Sequence, residues 1–211
     1  MILMLGAAHP TIMRMRATPN GAMLGRLAQP RDYSRVDATA AAGVPWAADN
    51  DAFNGGFDVE AWRKMLAAIR GVPGCRFCTA PDVVGNALET ADLFLQYATE
   101  IRAAGLPVGL VLQDGITSVP WDELDAVFVG GTTDFKLGPV AARIVREARS
   151  RGKWIHMGRV NTVGRIRYAA TIGCDSFDGT QWSRWRDTHL PTGLIAAANV
   201  AAGQQLQLMG D

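Results

Sequence analysis

The sequence predicts an α/β fold, a compact (β/α)8 TIM-type barrel in one domain spanning residues 1–211. Three observations lead there. Short runs rich in Val, Ile and Phe alternate with amphipathic helical segments from about residue 44 to the end. Each run closes on a polar or glycine-rich corner. No G-x-G-x-x-G or G-x-x-x-x-G-K-[ST] follows any run, which removes the commonest reason for the rival open, doubly wound sheet.

Taken in order, "MILMLGA" is the first strand. "GVPWAADNDAF" is the next clear one and leads to a helix starting near Asp58, with Trp62, Met65, Leu66 and Ile69 at helical spacing. "CRFCTAPDVVG" precedes a helix over residues 86–103, and "PVGLVLQDG" a short connection around Trp121. "AVFVGGTTD" precedes a helix over 137–150, and "KWIHMGRV" one over 162–172. "CDSFDGTQW" is the last strand, and the tail from Pro191 is a closing helix with a frayed end. A barrel of eight requires one more strand within residues 16–42, where the pattern is weak.

Composition narrows the class. The chain has 211 residues, 48% of them hydrophobic, enough for one sizeable core. A net charge of +1 gives no bulk argument for nucleic acid. Between Arg143 and Arg167, however, basic residues face the single acid Glu147, which reads either as a solvated helix face or as a phosphate-tracking surface. Cys75, Cys78 and Cys174 form no disulfide framework. Cys75 and Cys78 lack a second pair to complete a zinc site and read as small buried residues of a strand. No apolar run reaches the length of a membrane span, so the chain reads as soluble and cytoplasmic.

Functional groups of such barrels collect at the C-terminal ends of the strands. Those ends carry Asp49, then Asp82, then Gln113 with Asp114, then Gly130-Gly131, then Met157-Gly158-Arg159, then Asp175 and Asp178. A rim of carboxylates suits three chemistries: binding a divalent metal, dividing acid and nucleophile roles at a glycosidic carbon, or accepting hydrogen bonds from a polar heterocycle. The competing reading is helix capping. It fits Asp58, which follows a Gly-Gly turn, better than it fits Asp49, Asp82 or Asp178, whose following residues do not look like a first helical turn.

The ordered series D-x-x-x-F, D, Q, G-G, M-G, D-x-F-D resembles the tRNA-guanine transglycosylase (queuine tRNA-ribosyltransferase) superfamily. Those enzymes are (β/α)8 barrels that exchange guanine in a nucleic acid for a 7-deazaguanine. "DNDAFN" stands where the family has D-S-G-G-F-Q, keeping Asp49 and Phe53 and losing both glycines. The resemblance runs from about residue 46 to 184. It implies that Asp178 is the nucleophile and that Asp49 handles protons. Asp82, Gln113, Gly130, Gly131, Met157 and Phe53 would form the base site. Arg159, Arg165, Arg167, Arg184 and Arg186 would hold phosphates, and Trp182 and Trp185 would stack on a base or pack in the core. Asp175 is expected to support the strand end or a neighbouring Arg.

The family's zinc cysteines have no counterpart after Asp178. The chain therefore resembles the compact DpdA-like branch of phages and bacterial DNA-modification systems. That branch implies DNA rather than tRNA as partner, a 7-deazaguanine base (7-cyano-7-deazaguanine or a derivative) as co-substrate, and no metal or cofactor. It leaves room for a homodimer or an accessory protein. A tRNA-directed transglycosylase, and a metal-dependent hydrolase or aldolase built on the same carboxylate rim, are the alternatives.

Overall fold

The computed structural model describes residues 1–210, with side chains at all of these except 54 and 204–210. Eight parallel strands close into a barrel in sequence order: β1 (Ile2–Leu5), β2 (Leu24–Ala28), β3 (Trp46–Ala48), β4 (Cys75–Thr79), β5 (Val108–Leu112), β6 (Ala126–Val129), β7 (Trp154–Met157) and β8 (Ser176–Phe177). β8 pairs with β1 through Ile2↔Ser176 and Leu3↔Phe177, which seals the sheet.

Helices return the chain outside the barrel: α1 (His9–Arg16), α2 (Val36–Ala41), α3 (Val59–Ala68), α4 (Ala87–Ala103), α5 (Thr133–Leu137), α6 (Pro139–Ser150), α7 (Val163–Ile172), α8 (Thr180–Arg184) and α9 (Leu190–Gly210). Asp58 caps α3 as expected, accepting from the Ala61 N–H at 3.0 Å. The helix expected over 137–150 is α6, and a separate short helix, α5, precedes it. Thr132 caps α5, and Pro139 opens α6 at the position where its missing N–H costs nothing. The closing helix is α9; the fraying expected at its end lies outside the described residues.

β2, "LGRLA", is the strand the sequence pattern leaves weak. Gly25 is required there, because a Cβ would lie 2.5 Å from Met4 Sδ and 2.8 Å from the Pro45 carbonyl. Arg26 is fully buried, an arrangement that is costly unless the charge is paired. Its guanidinium donates to Asp32 at 3.2 Å and to Thr39 at 3.1 Å.

Strand alternation divides the core into two layers. Met4, Leu27, Ala47, Phe77 and Ala126 fill the barrel interior, with Phe128 and Trp154 packed against them. The larger cluster, including Leu3, Leu5, Val127, Val129, Ile155, Met157 and Phe177, lies between sheet and helices. Cys78 and Cys174 are buried, and burial pushes the Cys75 thiol up to about 12, in keeping with cysteines that pack rather than react. No described helix is long and apolar enough to cross a membrane.

Candidate active site

Every strand delivers its following residues to one end of the barrel, and a pocket of about 170 Å³ opens there. That is below the roughly 300–1,000 Å³ typical of drug-sized ligands, and it fits a single ring system. Asp49, Asp82, Gln113, Gly130, Gly131, Phe53, Arg159 and Asp178 all line it. Gln29, Arg31 and Asn50 line it as well, and the sequence reading did not single them out.

The recognition wall is built on Asp82, which is almost fully buried. Asn50 Nδ2 donates to its Oδ1 at 2.8 Å and Gln113 Nε2 to its Oδ2 at 2.5 Å. Asn50 is itself fixed by a bond to the Ala80 carbonyl at 2.7 Å, and the Gln113 oxygen accepts from the Gly85 N–H at 2.9 Å. Burial pushes the Asp82 carboxyl up, while the bonds from Asn50 and Gln113 and the charge of Arg159 pull it back. Gln113 is thereby committed on both ends and retains one N–H for a ligand. The Gly130 N–H is spent on the Leu112 carbonyl, so of the glycine pair Gly131 alone offers an amide. Gly131 has φ +70°, and a Cβ there would meet Asp114 Oδ2 at 2.6 Å. Asp114 holds this loop, accepting from Thr132 N–H at 2.7 Å and from its hydroxyl at 2.5 Å.

Asp49 stands in a group of acids. Burial raises its pKa to about 7; the Gln29 amide, 3.1 Å away, opposes the rise, and Asp178, Asp82 and Asp51 add to it. The linkage sign follows from 3.8 unfolded and about 7 folded. Well below the unfolded value of 3.8 the proton is present in both states and costs nothing. Between those values the unfolded chain ionises first, and the fold is penalised by an amount that grows up to pH 7. Asp49→Asn is therefore expected to stabilise the protein increasingly with pH, by on the order of 4 kcal/mol near pH 8 and somewhat under half of that near pH 5. Chemical denaturation at the two pH values checks this.

Asp178 follows β8 and accepts from the Arg159 N–H at 3.1 Å and lies 3.0 Å from His156 Nε2. Arg159 has a left-handed backbone (φ +57°). Its side chain bonds the Gly131 carbonyl and lies over the Phe53 ring at 4.5 Å. Beside it, Lys136 is buried and donates to the Gly158 carbonyl at 3.0 Å, with burial and then Arg159 lowering its pKa to about 8.

Several expectations need correction. Met157 does not line the pocket; it faces the helical layer, because Gly158 and Asp178 set the inward parity and His156 is the inward residue of β7. Met157→Leu is expected to leave ligand binding unchanged and to alter stability by less than about 1.5 kcal/mol, as calorimetry on both proteins would show. Asp175 is not at the rim. It precedes β8 at the opposite end, where Arg149 donates to it at 2.7 Å and the Ile155 N–H at 2.9 Å, the supporting role expected of it.

Arg165, Arg167, Arg184 and Arg186 do not line the pocket. Arg167 and Arg184 are exposed on their helices, and Arg186 borders a separate cavity with Arg14 and Asp187. Trp182 is core, its indole N–H bound to the Val160 carbonyl at 2.6 Å, whereas Trp185 is exposed.

Among the described residues, no group of three or more His, Cys, Asp or Glu side chains is placed to hold a metal ion. No protein-family model matches the chain, and no curated protein sequence matches it significantly. Solved structures do. The chain is similar to 3-hexulose-6-phosphate synthase from Salmonella typhimurium, at 16% identity and TM-score 0.53 over 95% of this chain and 98% of that one. Tryptophan synthase from M. tuberculosis matches at 14% identity and TM-score 0.58 over 96% and 92%. Deoxyribose phosphate aldolase from Aeropyrum pernix matches at 14% and 0.54, over 85% of each chain. The likeness is one of fold. It agrees with the closed eight-stranded barrel and leaves the chemistry to the site.

Proposed function

We propose that this chain is a pentosyltransferase, a guanine transglycosylase that replaces guanine in DNA with a 7-deazaguanine. The observation that carries the reading is one pocket lined both by Asp178, tied at both oxygens, and by a buried, amide-braced acceptor, Asp82.

Guanine presents N1–H and a 2-amino group side by side, and a carboxylate with lone pairs to spare accepts from both. The remaining Gln113 N–H and the Gly131 amide suit the carbonyl edge. Asp178 attacks C1′ as the C1′–N9 bond breaks, and the electron pair departs with the purine. Asp49, with a pKa of about 7, gives the leaving base its proton. The incoming 7-deazaguanine returns a proton to Asp49 as its N9 attacks C1′ and releases Asp178. Atoms and charge balance, and no cofactor enters. The target guanine must leave its stack, at a cost of a few kcal/mol. Arg31 and Arg159 are the arginines that line the pocket, and they join the wider arginine set as candidates to hold the flanking phosphates.

DNA is assigned on the resemblance to the compact DNA-modifying branch. Mass spectrometry of nucleosides from cells that express the chain and supply a 7-deazaguanine tests it. A modified deoxyguanosine is the expected product. A modified guanosine confined to RNA would replace DNA by tRNA, and unmodified nucleosides in both pools would remove the reading.

A further inference from the structure

We infer that His156 is a positioning residue, held as its Nε2–H tautomer by Ser176 and Trp154 so that it aims the Asp178 carboxylate into the pocket. The inference rests on Asp178 being the nucleophile, as proposed above.

The geometry is a line of hydrogen bonds up the barrel interior. The Trp154 indole N–H lies 2.9 Å from Ser176 Oγ, which lies 2.9 Å from His156 Nδ1. His156 Nε2 lies 3.0 Å from Asp178 Oδ2. An indole N–H only donates, so Ser176 accepts at that end, and its single hydrogen is then free for Nδ1. Nε2 carries the imidazole hydrogen and donates it to the carboxylate. The opposite tautomer would set two lone pairs against each other at the Asp178 end and strand the Ser176 hydrogen in a buried site. Buried groups left in that state are expensive.

The ring has no freedom to escape. His156 and Ser176 are fully buried, and the Phe77 and Phe128 rings pack on the imidazole with centroids at 5.0 and 4.5 Å. With the Arg159 N–H on the other oxygen, both Asp178 oxygens are tied, and rotation of the carboxylate is blocked. Each oxygen keeps a lone pair for the pocket. Holding a nucleophile in one orientation accelerates attack without tightening ligand binding.

The test combines nitrogen NMR of histidine-labelled protein with single-turnover adduct formation on a guanine-containing oligodeoxynucleotide. The proteins are wild type, Ser176→Ala, His156→Leu and His156→Gln. The His156 signals, identified by their loss in His156→Gln, are expected to show a bare Nδ1 and a protonated Nε2. Ser176→Ala is expected to erode that preference. His156→Leu should slow adduct formation about 10- to 100-fold, with KM for the free base within about 3-fold of wild type. His156→Gln, whose carboxamide keeps a donor, should recover part of the rate. If His156→Leu does not fold, the smaller Ser176→Ala deletion carries the kinetic arm. A protonated Nδ1 in the wild type, or wild-type rates in both Ser176→Ala and His156→Leu, would overturn the inference. If the wild type itself forms no adduct and exchanges no base while the tautomer is as stated, it is the transglycosylase reading that falls.

Discussion

Asp178→Ala is expected to abolish base exchange, a loss on the order of 10⁴-fold or more, while leaving the barrel folded. The magnitude follows from the role: no other group in the pocket is both tied for attack and placed at the end of β8. Asp49 is the nearest substitute, but its burial favours the protonated form that a nucleophile must lack. The fold should survive, because Asp178 spends its side chain on His156 and the Arg159 N–H, while the backbone bonds that anchor the strand end, to Met157 and Val160, remain. Labelled-guanine incorporation and circular dichroism on the same preparation separate the two effects. Full exchange by Asp178→Ala would remove the proposed chemistry.

Asp82→Asn is expected to lower kcat/KM for guanine on the order of 10²- to 10³-fold. The carboxylate accepts from two protein amides and, in the proposed site, from two donors of the base. A carboxamide turns one of its acceptor positions into a donor, and that donor must face either the N–H groups of the base or those of Asn50 and Gln113. A site built to pair a ligand's polar edge discriminates by such factors because mismatched buried groups go unpaired. The change is close to isosteric, so stability should move less than it would for Asp82→Ala, which strands both amides. Equilibrium binding of free guanine to both proteins checks the loss at the base site.

Most of the fold was legible in the sequence, because βα units announce themselves by a change of hydrophobic period. β2 was the exception. Its glycine serves a close approach to Met4 and its arginine is buried by pairing with Asp32 and Thr39, and neither fact is visible until the barrel closes. The rim residues Asp49, Asp82, Gln113 and Asp178 were legible for the same reason as the strands: each falls just past a strand end. His156 was missed although a signal existed. Counting back by two from Gly158, or across to Asp178, puts His156 on the inner face and Met157 on the outer one. Asn50 and Gln29 carry no such signal, since their parts depend on which neighbours the closed sheet supplies. Proximity in sequence gathered Arg159, Arg165 and Arg167 into one patch, whereas the chain turns at Arg159 and sends only that side chain over the pocket.

In the proposed exchange, Asp178 bonds covalently to the sugar of a nucleic-acid guanosine. The most direct test of this bond is peptide mass spectrometry of the protein after reaction with a guanine-containing oligodeoxynucleotide and quenching by denaturation. A deoxyribosyl-oligonucleotide adduct is expected on the peptide containing Asp178, formed by the wild type and absent from Asp178→Ala. An adduct on another residue, or base exchange by the wild type with no adduct at any time point, would contradict it.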